Sequence, residues 1–341
     1  MKYKSLLKLF FLGLCCAVLA TSCTKEGPAG LNGENGADGA DGSDGTDGVD
    51  GIAYCLECHT SGVIDNLTAE WKPSGHGSGG SLARGGSASC APCHSGVGFV
   101  ASLDGGEDLS KSSINCTSCH SHGEPPVFQD DNGDPVFIRT TAAVTLMSNS
   151  STIIDLESSS NLCVNCHQPR TAAPVDEDGD GMYLVGSHYG PHHSPQATLL
   201  EGIGGYEFPG SATYPGTKSH PHRKWADCVT CHMEDSNHNF SAPEISACTT
   251  CHEGATNFDI NDKLTGIHTQ MEELKTLLEQ AGIFEDGEAI EGVSYPFVLA
   301  AAAWNYITIE EDKSEGVHNP EYIKALLTNS IEAVEDYIAN N

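Results

Sequence analysis

The chain has 341 residues, of which only 38% are apolar, alongside 38 glycines. A polypeptide this polar and glycine-rich offsets the entropy of ordering poorly through side-chain burial alone, so something other than side chains is expected to supply much of the core. A formal net charge of -31 excludes a nucleic-acid binder of the usual kind, which needs a basic face to neutralise phosphates, and any docking partner is expected to be basic or neutral where it touches.

Residues 1–22 read as a targeting segment. Lys2, Lys4 and Lys8 give it a basic start, an apolar run fills positions 9–19, and Ala20, Thr21 and Ser22 precede Cys23. The apolar run is too short to span a bilayer. Small residues before a cysteine resemble the lipobox of bacterial lipoproteins, which implies acylation of Cys23 and a lipid anchor in a bacterial membrane. The outer membrane is expected, with the chain facing the periplasm or the cell surface. Leu19 stands one place further from the cysteine than in the usual pattern, and a plain signal peptide is the alternative reading.

Residues 23–52 follow a three-residue repeat, with glycine at 27, 30, 33, 36, 39, 42, 45, 48 and 51. Glu34, Asp38, Asp41, Asp44, Asp47 and Asp50 fall between them. Glycine at every third place resembles collagen-like sequence, where only glycine fits the crowded axis of a triple helix, and this would make the repeat a route to a homo-oligomer. Only Pro28 stiffens it, however, and like-charged strands repel. The alternative is a charged flexible tether of about 29 residues, spanning roughly 30 Å as a coil.

Residues 53–260 show little sustained periodicity and are dense in Cys, His, Gly and Ser, a texture that fits irregular loops wrapped around cofactors. From residue 261 to 341 the pattern changes. Leu264, Ile267, Met271, Leu274, Leu277 and Leu278 recur at helical spacing. So do Ile323, Leu326, Leu327, Ile331, Val334 and Ile338, after Asn319 as N-cap and Pro320 at the first helical position. A third helix is expected over residues 295–309. The expected fold is therefore mainly irregular and α, with a haem-stacked body and a C-terminal helical cap.

The chemistry rests on one motif. Of fifteen cysteines, twelve fall in Cys-x-x-Cys-His: Cys55/Cys58-His59, Cys90/Cys93-His94, Cys116/Cys119-His120, Cys163/Cys166-His167, Cys228/Cys231-His232 and Cys248/Cys251-His252. Each reads as two thioether bonds to one haem, with the next histidine as proximal iron ligand, giving six covalent haem c groups. Three zinc ribbons would use the paired cysteines but need no histidine after them. Disulfides, plausible in an exported chain, ignore the histidine too. Cys15, Cys16 and Cys23 belong to the targeting segment, so no cysteine is left over. The short interval from Cys231 to Cys248 suggests one particularly close pair of haems.

The remaining histidines are His76, His122, His188, His192, His193, His220, His222, His238, His268 and His318, enough for a second imidazole on every iron. Methionine is too scarce to be the general second ligand, at five in the chain. Iron held by two histidines has no open position for substrate.

The run Ser187-His188-Tyr189-Gly190-Pro191-His192-His193-Ser194-Pro195-Gln196 resembles a distal-ligand segment of the multihaem cytochromes akin to ammonia-forming nitrite reductases. The stretch from Cys228 to Cys251, with Met233 and His238-Asn239-Phe240, is similar to the same group. So are Ala303-Trp304-Asn305-Tyr306 and Gly316-Val317-His318-Asn319-Pro320-Glu321-Tyr322. The resemblance implies distal ligation by His188, His192, His238 and His318, with His76 and His122 completing the set and His220 or His222 as alternatives to one of them. Those reductases carry a Cys-x-x-Cys-Lys haem with an open face. This chain has no such motif, which points away from catalysis.

The expected role is electron transfer between membrane or periplasmic donors and an extracellular or soluble acceptor, with other cytochromes as redox partners. The rivals are a reductase of nitrite, hydroxylamine or a sulfur oxyanion at one open haem, and a subunit of a cytochrome filament. Asp176, Asp178, Asp180 and Gly181 match the opening of an EF-hand calcium loop, yet the twelfth position is Ser187 where a bidentate Glu is required. The alternative is an acidic turn, as also at Asp130, Asp131, Asn132, Gly133 and Asp134.

Overall fold

The computed structural model describes residues 59–79, 81–121, 128–129, 135–241 and 243–341. The targeting segment with Cys23, the glycine repeat, Cys55, Cys58, His122 and the acidic turn at 130–134 lie outside them. The chain divides after Tyr54, and the described residues belong to the second unit, Cys55–Asn341.

Up to about residue 260 the elements are short. An opening helix, α1, spans Ser61–Trp71, where Thr60 accepts from the Val63 N–H as N-cap, and α2 spans Gly96–Leu103. Between and after them come single helical turns and two-stranded antiparallel pairings. Such fragments bury little by themselves. One small apolar cluster, built on Val144, Leu146, Ile154, Leu156, Val164, Ala197 and Leu200, gathers the middle of this region.

The C-terminal part is organised differently. Helix α3 is Lys263–Gln280, α4 is Phe297–Asp312 and α5 is Pro320–Asn340. Leu264, Ile267, Leu274 and Leu278 form the buried stripe of α3, and Ile323, Leu326, Leu327, Ile331 and Val334 that of α5. Helices α3 and α5 pack directly on each other, and α4, largely buried, packs against both; its run Ala300–Ala301–Ala302–Ala303 leaves room for close packing. Each buried leucine or isoleucine contributes about 1.5–3 kcal/mol relative to an exposed one.

The start of α5 agrees with the sequence expectation: the Asn319 side chain accepts from the Tyr322 N–H at 3.2 Å, and Pro320 occupies the first turn. Helix α4 begins two residues later than expected. Tyr295 belongs to a strand, β2 (Val293–Pro296), which pairs antiparallel with β1 (Met182–Val185), Tyr295 opposite Tyr183. The extended Pro296 then starts the helix. Periodicity could not reveal this, because the pairing partner lies more than a hundred residues upstream.

Candidate haem-binding sites

Each described motif sits on one helical turn. The N–H of the motif histidine donates to the carbonyl of the first cysteine at 2.9 Å for His94 and Cys90, 2.8 Å for His120 and Cys116, 2.9 Å for His167 and Cys163, and 2.8 Å for His252 and Cys248. The fifth motif is itself a short helix, Cys228–His232. Residues three apart share a face of a helix, so the turn brings both sulfurs to one side. Asn115 and Asp227 cap two of these turns, accepting from Thr117 and Thr230.

The structure then places a second imidazole opposite five of the motif histidines. Ring centres are 6.3 Å apart for His94 and His192, 6.2 Å for His120 and His238, 6.1 Å for His76 and His167, 6.4 Å for His232 and His318, and 6.1 Å for His222 and His252. Two metal–imidazole bonds of about 2 Å, with roughly 1 Å more from each nitrogen to its ring centre, would separate rings on opposite faces of one metal by about 6 Å. The five pairs, each joining a motif histidine to a second imidazole, all have that spacing. The donor set therefore fits an iron held between two imidazoles.

Protonation supports the same fit. The Nδ1 of His120 lies 3.1 Å from the Phe137 carbonyl, that of His232 3.0 Å from Ser241, that of His238 2.7 Å from Ser236, and that of His222 2.8 Å from Val317. A carbonyl only accepts, so Nδ1 carries the proton and Nε2 presents its lone pair. His167 Nδ1 lies 3.2 Å from Gln196 Oε1, while Gln196 Nε2 donates to the Asp312 carbonyl at 3.0 Å, which fixes the amide's orientation. His318 Nδ1 instead meets a carboxylate, Asp312 Oδ1, at 2.8 Å.

Burial pushes His76 down to about 4, helped by the facing His167. Burial likewise lowers His94, His167, His192 and His222. Neutral imidazole is the form that binds metal. His318 is the exception: burial alone would lower it, but the Asp312 carboxylate outweighs that and holds it above its ordinary value.

Positioning of the opposing histidines draws on distant parts of the chain. His76 lies on a turn capped by buried Ser74, which accepts from the Gly77 N–H at 3.0 Å, and its ring meets Phe240 edge-on at 4.8 Å. The His238 N–H donates to Glu70 of α1 at 2.9 Å. His192 takes a left-handed backbone, φ 71°, a strained conformation for a residue with a side chain. Two residues earlier Gly190 has φ 135°, and a Cβ there would stand 2.8 Å from Ile307.

The segment 312–318, between α4 and α5, supports three sites together: His318 directly, His222 through the Val317 carbonyl, and His167 through Gln196. Neighbouring motifs also touch. Cys93 and Cys166 lie within hydrogen-bonding reach, as do Cys163 and Cys228. Burial, with Cys248 and Cys251 close by, pushes the Cys231 thiol up to about 11, and Cys119 lies close enough to affect Cys163 and Cys166.

His188 does not stand where the sequence reading put it. It is exposed with φ 61°, its N–H on Glu291, and the fifth opposing imidazole is His222. His192, four residues on, faces His94. His220 stays beside His222 as N-cap and pairs with Glu321 at 2.6 Å, while His193 pairs with Glu311 and His268 with Glu315. Asp312 escaped the sequence reading, and Gln196 entered it only as the last residue of the distal-ligand run, since no local pattern marks a residue that orients a histidine through its Nδ1.

The carboxylates of the EF-hand-like run serve the turn itself: Asp176 accepts from the Gly181 N–H at 3.1 Å and Asp180 from Met182 at 2.9 Å. Among the described residues no group of three Cys, His, Asp or Glu side chains converges as a metal site of that kind or as a zinc ribbon. Among them, too, no helix is long and apolar enough to cross a membrane.

No family model matches the chain. It is 25% identical over 245 residues to the C-type polyheme cytochrome OmcB of Geobacter sulfurreducens, covering 53% of this chain and 32% of that protein. The chain thus spans about a third of the length of the curated relatives it matches. In structure it is similar to the outer cell wall cytochrome OcwA, with a TM-score of 0.52 and 20% identity, over 79% of this chain and 50% of that one. A weaker likeness, TM-score 0.42 at 19% identity, is to an undecaheme cytochrome from the S-layer of Carboxydothermus ferrireducens, over 81% of this chain and 40% of that one. The fold is that of multihaem c-type cytochromes. Covalently bound haem c follows from that class.

Proposed function

We propose that the chain is an electron carrier with six haems, each iron held between two histidines. The observation that carries this reading is the set of five opposed imidazole pairs at 6.1–6.4 Å, each containing one motif histidine. For the sixth site, His59 with Cys55 and Cys58, we assign His122 as the opposing ligand. Iron with both axial positions filled exchanges electrons without binding substrate, and the haem groups supply that one-electron chemistry. The protein's own residues attach them, fix their ligands and exclude water. Arg84 and Arg170 lie close enough to lower His94 electrostatically, and they suit the propionates of the haem there.

The touching motifs support a relay that runs from the His94 site through the His167 and His232 sites to the His252 site. The His120 site joins beside His167, where Phe240 contacts both His76 and His238. Donors and acceptors are redox proteins meeting an acidic surface. Cys23 serves as the lipid anchor and residues 23–52 as the stand-off, placing the cytochrome at the periplasmic or outer face of a bacterial membrane. The likeness in fold to OcwA, a cytochrome of the outer cell wall, is in keeping with such a location.

Intact mass is expected to exceed the processed polypeptide by six haems, with none extracted by acid and solvent. Spin resonance is expected to show low-spin iron alone, of two kinds. Ring planes crossing at 88°, 77° and 74° give strongly anisotropic signals, and the 32° crossing at His120 and His238 gives a rhombic one. A high-spin haem that turns over nitrite would overturn the carrier reading. Separately, Cys23→Ala is expected to release the protein from membranes with its haem complement intact; retention on the membrane would sink the lipid-anchor assignment.

A further inference from the structure

The residue that distinguishes one site from the other four is Asp312. It ends α4, and its side chain is 0% exposed while His318 beside it is 21% exposed. A buried carboxylate is costly unless hydrogen-bonded. The C-terminal end of a helix, itself the negative end of the dipole, is also an unfavourable place for an anion. Two donors hold it there: His318 Nδ1 at 2.8 Å and the hydroxyl of Ser314. Carbonyl or amide oxygens face Nδ1 in His120, His167, His222, His232 and His238, and, among the described residues, His318 alone of the ten histidines in the five pairs forms an ion pair with a carboxylate.

Resting on the two-histidine ligation proposed above, we infer that Asp312 is a positioning residue that makes the haem at Cys228/Cys231 the most reducing of the five described sites. An anion at Nδ1 increases the electron donation of Nε2 to the iron, and it favours the ferric state, which carries one more positive charge than the ferrous. At the His94 end of the relay the charge is of the other sign: besides burial, Arg84 and Arg170 act electrostatically on His94. The two charges of opposite sign set a downhill direction. An electron on the His232/His318 site passes through the His76/His167 site toward the His94/His192 site.

The test is a redox titration of the intact six-haem protein followed by optical and spin-resonance spectra. Asp312→Asn keeps the shape but removes the charge. The lowest one-electron wave is expected to move upward by about tenfold in the ferric–ferrous equilibrium, which is about 59 mV for one electron. Asp312→Glu is expected to restore a wave near the parent position. Ser314→Ala leaves the carboxylate with one donor fewer, so the same wave is expected to shift downward. Unmoved midpoints in both Asp312→Asn and Ser314→Ala would overturn the inference. Movement of a wave other than the lowest would overturn the ranking of the sites. If the parent itself lacked six low-spin haems, the ligation reading would fail instead, an outcome visible before any variant is made.

Discussion

Replacing His222 by alanine is expected to turn one haem of six high-spin and able to bind carbon monoxide, whereas His188→Ala should leave every haem low-spin. His222 faces His252 with ring centres 6.1 Å apart, and its Nδ1 donates to the Val317 carbonyl, so its Nε2 is near and keeps its lone pair free for iron. Loss of that imidazole opens one face of one iron. Full axial ligation otherwise demands that a bond break before an outside ligand enters, so the parent protein should take up almost no carbon monoxide. His188 contributes only a backbone N–H to Glu291. Carbon monoxide uptake by the reduced proteins, counted per haem, separates the two variants. High-spin iron in His188→Ala together with none in His222→Ala would reverse the assignment.

A second large effect is expected from the site at Cys163 and Cys166, where the relay narrows to a junction. Its sulfurs reach Cys93 on one side and Cys228 on the other, and its ligand His167 shares the 312–318 segment with His318. Converting both cysteines to serine should lower the intact mass by one haem. Electron equilibration between the His94 and His232 sites should then slow by orders of magnitude, because it loses its intermediate carrier. His76→Met offers a milder version that keeps the haem. Sulfur in place of one imidazole raises the potential, so the junction should trap electrons and become the first haem reduced in a titration. Rapid photoreduction with optical detection reads the rate, and the redox titration reads the trap. An unchanged equilibration rate after loss of the junction haem would mean that electrons bypass it.

Both experiments depend on information unevenly divided between sequence and fold. The candidate haem motifs stand out in the sequence because their chemistry is local: two sulfurs and an imidazole within five residues suit one porphyrin, and Cys90-x-x-Cys93-His94 shows that pattern without any neighbour. Helices α3 and α5 were legible for a similar reason, since one apolar stripe and an Asn-Pro cap are properties of a single segment. The start of α4 was not, because Tyr295 is drawn into a strand by Tyr183.

Ligand pairing lies at the far extreme. His76 and His167 are ninety-one positions apart by their numbering, and nothing in either segment names the other. The sequence reading carried His188 as a ligand and kept His222 only as an alternative; backbone direction and the Val317 carbonyl separate them, and both are consequences of packing. Asp312 shows the same limit most clearly. By sequence it is one of 47 acidic residues, at the end of a helix. Only burial against His318 makes it a charge that an iron would feel, because the effect of a charge depends on distance and on the water between, and the tertiary structure alone decides both.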